Sequence, residues 1–162
     1  MTHALAPLWE RIGGPADTGP VDFPALHAKT RPNRYLVAPP GLAPDADVDA
    51  PSPAFAVGVA ALRDAFRVAI FAEPNAQFVA SEGAQDRYIV RSRLFGFPDS
   101  VVAEFISLSS PFEGMPTDET STLAVISRSR VGHSDLGANK ARVQRVLGRL
   151  TDRLPTIEPL AS

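Results

Sequence analysis

Two predicted strands each carry a pair of arginines two residues apart, a spacing that could build a binding site for an anion. Arg91 and Arg93 lie near the end of one strand, and Arg128 and Arg130 lie near the end of another. Side chains at i and i+2 of a strand point to the same face of a sheet. Guanidinium groups match the oxygens of carboxylates and phosphates. If the two strand faces coincide, the pattern predicts an arginine-lined patch for a small anion, an anionic lipid headgroup or an acidic partner segment.

The residues after the second arginine pair could complete this patch. His133, Ser134 and Asp135 precede a predicted helix, and Asn139 lies in its first turns. Helix N-termini favour anions, so we include these four residues in the candidate ligand-binding set, with His133 and Asn139 at the rim. A structural alternative stays open, in which Ser134 or Asp135 caps the helix and Asp135 pairs with an arginine of the preceding strand.

Signals for catalysis and metal binding are weaker. His133-Ser134-Asp135 contains the residue types of a hydrolase triad, but triads assemble from separated segments. One enzymatic alternative remains, a hydrolase-like protein in which Asp135 or His133 is the general base and the arginines hold an anionic substrate. His3, His27 and His133 lack the spacing of metal ligands, and no phosphate-binding glycine motif is present. We therefore assign no catalytic residue and predict no metal and no cofactor.

An acidic run near residue 47 has part of a calcium-loop pattern. Asp45, Asp47 and Asp49 alternate with small apolar residues. A calcium loop that started at Asp45 would need glycine at its sixth position and glutamate at its twelfth. Ala50 and Ala56 stand there, so we predict a solvated linker.

Composition limits the class of protein and partner. The chain has 162 residues, 44% hydrophobic and 21% charged, with no cysteine and a net charge of −2. This predicts one ordinary domain and disfavours nucleic-acid binding, which depends on phosphate neutralisation. No apolar run reaches the roughly 20 residues of a membrane-spanning helix, and we predict no signal peptide. We expect a cytoplasmic protein, with a periplasmic or membrane-peripheral location as the alternative; the oligomeric state stays undetermined.

The elements that would position the arginines follow from periodicity. Residues 1–60 hold 10 of the 16 prolines, so we predict an irregular N-terminal arm and linker over residues 1–50. An α+β domain over residues 51–155 follows. It contains a helix from Ser52-Pro53 to about Ala72, four strands and a second helix from Leu136 to Leu154. The predicted strands are Gln77–Ser81, Arg87–Leu94, Val101–Leu108 and Thr122–Arg130.

The expected architecture has two layers. Short turns between the predicted strands favour an antiparallel four-stranded meander. Each helix has one apolar stripe that needs a covering surface, so both helices are expected on one face of the sheet. The arm is expected to pack on this domain, with Tyr35 to Ala38 available as a short edge strand.

The end of the last predicted strand and the start of the last predicted helix contain the pattern S-x-S-R-x-G-x-S-D-x-G-x-N-x-x-R. Its residues are Ser127, Ser129, Arg130, Gly132, Ser134, Asp135, Gly137, Asn139 and Arg142. This pattern resembles the signature of a known family, the domain of unknown function fourteen ninety-nine. Arg31-Pro32-Asn33 and the segment from Arg91 to Asp99 resemble two further parts of the family, so that the resemblance covers about residues 30–154. It implies a bacterial and plastid family with no established activity, and it supplies no catalytic residues.

Overall fold

The computed structural model describes residues 15–29, 32–92, 96–108, 120–132 and 135–157. These residues form an α+β fold with two helices and one mixed sheet of eight strands. The elements in chain order are β1 Arg34–Ala38, β2 Ala50–Pro51, β3 Ala54–Phe55, α1 Val59–Phe71, β4 Ala76–Glu82, β5 Gln85–Arg91, β6 Pro98–Ser107, β7 Ser121–Ser129, α2 Ala138–Arg153 and β8 Thr156–Ile157.

The sheet is larger than the sequence predicts. Its strand order is β2-β1-β7-β6-β5-β4, and β3 pairs with β7 and β8. The four predicted strands correspond to β4 to β7 and pair antiparallel with their chain neighbours. The expected four-stranded antiparallel sheet is nevertheless wrong, because β1 adds to the outer side of β7 and pairs parallel with β2. Strands as short as β2, β3 and β8 carry too few residues for an alternating pattern to reveal them.

The first helix begins later than Ser52-Pro53 predicts. Phe55, which the helical stripe included, is fully buried in β3 and pairs with Ser121 of β7. Gly58 is the N-cap residue of α1, so a proline after a serine was a misleading start signal. From there the prediction holds, because Leu62, Phe66 and Ile70 are buried against the sheet.

The second helix lies beside the first on the same face of the sheet. Val143, Val146 and Leu150 of α2 are buried in a core that includes residues of α1, β5, β6 and β7. Glu73, just after α1, is 3% exposed and accepts hydrogen bonds from Arg145 and Arg149 of α2. These bonds offset burial and hold the pKa of Glu73 below its usual value. The two helices are therefore joined by apolar packing and by one buried carboxylate.

The opposite face of the sheet is also covered. Val21 and Phe23 pack there against Leu36 and Ile126, together with Ala43. Side chains of successive strand residues alternate between the two faces, so β1 and β7 contribute to both cores. The segment before β1 thus forms part of a second core above the sheet.

The acidic run before β2 makes internal contacts. Asp49 accepts a hydrogen bond from the Leu36 main chain at 2.8 Å and forms an ion pair with Lys29 at 2.7 Å. Asp47 accepts from the Lys29 main chain at 2.9 Å. The prediction of a solvated linker is therefore wrong for Asp49. Its carboxylate bonds to β1 just before β2 begins, and so continues the contact between these two segments.

A buried carboxylate joins α1 to the β4–β5 hairpin. Asp86 is fully buried and accepts hydrogen bonds from Arg63, Arg67, Ser81 and Tyr88. Burial opposes its ionisation, but the hydrogen bonds from the arginines and Ser81 outweigh this effect and hold the pKa of Asp86 well below its usual value. Burial and the Asp86 charge raise the pKa of Tyr88. Asp86 is therefore charged, saturated and structural.

Candidate anion-binding site

The two arginine-bearing strands present their arginines on one face and at one end of the sheet. β5 and β7 are both antiparallel to β6, so they run in the same direction with β6 between them. Arg91 lies opposite Pro98, whose carbonyl accepts the Arg130 main-chain N–H at 3.2 Å. Arg128 lies opposite Ser100, two residues further along β6. Arg91, Arg128 and Arg130 therefore share a face, which is the condition that the sequence left open.

The fold brings a further arginine to this place. Arg34 of β1 lies directly opposite Arg128 of β7. The Leu36 main chain bonds to Asp49 on the outer side, so the Leu36 and Arg34 positions are non-hydrogen-bonded pairs with β7. Cα atoms in such pairs are about 4.5 Å apart. We call Arg34, Arg128 and Arg130 the arginine cluster, with Arg91 at its margin.

Sequence reasoning missed Arg34 because the pairing of β1 with β7 is nonlocal. A signal existed, since Arg34, Leu36 and Ala38 alternate with Tyr35 and Val37. Such alternation assigns Arg34 to a face, but it does not say which strand lies beside it.

The arginine cluster is held by neutral oxygens of the segment before β1. The bonds run from Arg34 Nη2 to the His27 carbonyl at 2.8 Å, from Arg128 Nη2 to Thr18 Oγ1 at 3.1 Å, and from Arg130 Nε to the Pro15 carbonyl at 3.2 Å. Within the described part of the chain, Arg34 and Arg128 form no ion pair. Their Nε atoms are buried and have no hydrogen-bond partner among the described residues. Two guanidinium groups thus retain unused donors.

Like charges raise the positive potential at this point. Burial, followed by the charges of Arg130 and Arg34, lowers the pKa of Arg128 below its usual value. Arg128 stays protonated at neutral pH, because arginine is effectively always charged in proteins. Its charged form is nevertheless disfavoured there, and a bound anion would relieve both the repulsion and the lost hydration.

Another arginine on the same face shows the contrast. Arg87 of β5 is 11% exposed at its side chain and pairs with Asp17 at 3.1 Å and with Glu82 at 2.9 Å. These two carboxylates satisfy it and fasten the segment before β1 to the hairpin. The arginine cluster has no comparable carboxylate on Arg34 or Arg128 among the described residues.

The structure places Asn139 on the other side of the sheet from the arginine cluster. Asn139 is fully buried. Its amide donates to the Asn33 carbonyl at 3.1 Å and to Ser129 Oγ at 3.0 Å, and its carbonyl accepts from Ser127 Oγ at 2.6 Å. Ser127 and Ser129 point to the helices, whereas Arg128 points away from them. Asn139 therefore connects α2 to β7 and β1 and is not at the rim of the arginine cluster.

Asp135 serves the start of α2. Its carboxylate accepts hydrogen bonds from the Gly137 N–H at 3.0 Å, the Asn139 N–H at 2.9 Å and the Asn139 side-chain amide at 2.6 Å. Gly137 has φ +83°, a left-handed conformation that glycine adopts without a Cβ clash. The N-cap residue of α2 is Gly137, so the expectation that Asp135 is itself the cap is wrong, although its carboxylate bonds to the start of the helix. The predicted pairing of Asp135 with Arg128 or Arg130 is absent from the ion pairs of the described residues. Arg93, His133 and Ser134 lie outside the described residues.

A groove begins at Arg34 and runs along the outer edge of β1. It has a volume of about 390 Å³. Its lining residues are Lys29, Pro32, Arg34, Tyr35, Asp49, Asp135, Gly137 and Lys140. The groove therefore connects the arginine cluster to the first turn of α2.

A family model described as "Protein of unknown function (DUF1499)" matches residues 30–150. The chain belongs to this family. The matched range contains Arg34, Arg128 and Arg130, whereas the oxygens of Pro15, Thr18 and His27 that they contact lie before it. No curated protein matches the chain.

Two negative findings apply to the described residues. They contain no helix that is long and apolar enough to cross a membrane. They also contain no group of three or more histidine, cysteine, aspartate or glutamate side chains that could hold a metal ion.

Proposed function

We propose that this member of the family is a non-catalytic binding module and that the arginine cluster is its anion site. One observation carries the proposal. Arg34 and Arg128 lie side by side, and among the described residues they donate only to neutral oxygens and each keep a buried Nε without a partner. A carboxylate or phosphate would replace neutral acceptors by charged ones. A bound anion would also place an opposite charge beside Arg128, which favours the charged form that burial and the neighbouring arginines disfavour.

The position of the cluster supports binding over a purely structural role. Internal arginine sites in this chain recruit carboxylates, as Arg142 does with Asp99 and Arg63 with Asp86. Arg128 is instead buried beside two cationic neighbours, and burial and these charges together lower its pKa. If Arg128 only held the fold together, a neutral side chain at this position would serve better, because it would remove the repulsion by Arg34 and Arg130.

The hydrolase alternative gains no support from the described geometry. Its candidate base Asp135 already accepts three hydrogen bonds at the start of α2. These bonds engage both carboxylate oxygens with the start of α2. Asp135 lines the groove together with Arg34, whereas Arg128 lies on the face of β7 that points away from α2.

A thermal-shift comparison tests the proposal. Inorganic phosphate, succinate and glycerol phosphate are titrated at constant ionic strength into wild type and Arg128→Met. A ligand at 100 times its Kd stabilises the native state by about 2.7 kcal/mol, which is about 5–11 °C for a chain of this size. We expect this shift for wild type and its loss in Arg128→Met. Arg153→Met, which removes an exposed cation of α2, is the matched control and should keep the shift.

Stability without added anion separates a binding site from a structural one. If Arg128 is repelled in the free protein, Arg128→Met should melt at the wild-type temperature or above it in low salt. A loss of several degrees in Arg128→Met, with no shift for any of the three anions in wild type, would overturn the proposal.

A further inference from the structure

The first half of β1 is an open sheet edge. Leu36 directs its N–H and C=O outward to Asp49, away from β7. Main-chain groups two residues apart on a strand point the same way, so Arg34 also directs its N–H and C=O outward. β2 pairs only with Val37 and Ala38. Among the described residues, no hydrogen bond satisfies the Arg34 main chain, which leaves a donor and an acceptor facing the groove.

The walls of the groove leave a net positive charge beside this edge. Lys29 and Asp49 neutralise each other at 2.7 Å, and Asp135 is occupied at the start of α2. Lys140 is exposed and forms no ion pair with the described residues. The groove is therefore lined by three cations, Lys29, Arg34 and Lys140, and by two carboxylates, Asp49 and Asp135, which leaves a net charge of +1.

The other lateral edge of the sheet lacks these properties. β4 has a register shift between Phe78 and Ala80, and such bulges protect edge strands from pairing with another chain. The open half of β1 is thus the better place for an added strand.

We propose that the groove binds an extended acidic peptide segment, which adds a short strand beside Arg34 and places a carboxylate in the arginine cluster. This inference rests on the proposed function, since it names the partner of that anion site. Strand addition gives affinity through main-chain hydrogen bonds and specificity through side-chain contacts. A groove of about 390 Å³ is within the range of ligand sites, about 300–1,000 Å³, and leaves room for only a few residues.

Fluorescence anisotropy with a defined probe tests the inference. The probe is the peptide fluorescein-Gly-Ser-Val-Glu-Val-Asp. Three comparison peptides are measured beside it. In one, Glu and Asp are replaced by Gln and Asn, and in each of the other two, alternate main-chain nitrogens are methylated, with a different set in each. We expect the Gln/Asn analogue and one of the methylated analogues to bind at least about tenfold more weakly, because charged and main-chain hydrogen bonds are lost. Lys140→Ala should lower the affinity for the acidic probe by about two- to fivefold. It should leave the thermal shift caused by phosphate unchanged. Arg153→Ala is the matched control and should bind like wild type.

Amide exchange gives a direct readout at the proposed edge. The Arg34 amide should exchange quickly in the free protein and slowly with the acidic probe, whereas inorganic phosphate should not protect it. If phosphate stabilises the wild type but both methylated analogues bind normally and the Arg34 amide stays unprotected, the strand inference is overturned while the anion site stands. If neither phosphate nor the probe binds, both proposals are overturned.

Discussion

The buried ion pair between Arg142 and Asp99 allows a quantitative test of what the family motif does. Arg142 Nη2 lies 2.7 Å from Asp99 Oδ2, and the two side chains are 7% and 8% exposed. Arg142 Nη1 also donates to Ser127 Oγ and to Asn139 Oδ1, both at 2.9 Å. These contacts are internal and lie on the helix side of β7. We infer that this part of the motif holds α2 on the sheet.

Arg142→Met should destabilise the fold strongly. It leaves Asp99 buried without its cation, and breaking a buried pair in this way costs about 3–5 kcal/mol. At about 2–4 °C per kcal/mol for a chain of this size, the melting temperature should fall by about 6–20 °C. The double variant Asp99→Leu/Arg142→Met removes both charges and keeps the Ser127–Asn139 hydrogen bond. It should be less destabilised than the single variant, with a coupling energy of about 2 kcal/mol.

Urea unfolding followed by circular dichroism measures these free energies. Arg153→Met removes an exposed arginine from the same helix and should stay within about 0.5 kcal/mol of wild type. The phosphate thermal shift of each folded variant is measured in parallel. It should persist in the double variant, since Arg142 and the arginine cluster lie on opposite faces of the sheet.

Two results would refute this reasoning. A free energy of unfolding for Arg142→Met within about 1 kcal/mol of wild type would show that the pair does not hold the helix. Normal stability combined with a lost phosphate shift would place Arg142 in the ligand site, and the division between the two faces of β7 would be wrong.

Two further predictions concern charge and backbone conformation. Because the folded pKa of Asp86 is lowered, its stabilisation is complete above the unfolded carboxyl pKa near 3.8 and is lost as pH falls towards the folded pKa. Asp86→Asn should therefore cost about 3–5 kcal/mol at pH 7 and less at pH 3 in urea titrations, with exposed Asp64→Asn as control; an equal cost at both pH values would contradict this. Gly137→Ala should destabilise by about 1–2 kcal/mol because its φ is +83°, whereas Gly148→Ala in the interior of α2 should stabilise by up to about 1 kcal/mol. If the two glycine variants both raised or both lowered the melting temperature, this would argue against a left-handed conformation at the start of α2.

The alternation of residues predicted which side chains share a strand face. It placed Arg91 on one face of its strand and Arg128 and Arg130 on one face of another, and the structure confirms both assignments. The apolar stripes of the two helices were readable for the same reason, since periodicity is a local property of the chain.

Pairing between distant segments was not readable. No local pattern says that β6 separates β5 from β7, that Arg34 lies opposite Arg128, or that residues 54–55 leave a helical pattern to pair with β7 and β8. The sequence likewise grouped Asn139 with the arginines because they are close along the chain. In the fold, Arg128 points to one face of the sheet. Its neighbour Ser127 points to the other face, where it donates a hydrogen bond to Asn139.

The sequence by itself therefore determined the family, the α+β class and the face that each strand arginine occupies. The tertiary structure alone decided that Arg34, Arg128 and Arg130 meet, and that much of the adjacent motif is buried beneath α2. The physical reason is that residue periodicity is set within one element, whereas strand order and register depend on contacts between residues far apart in the chain.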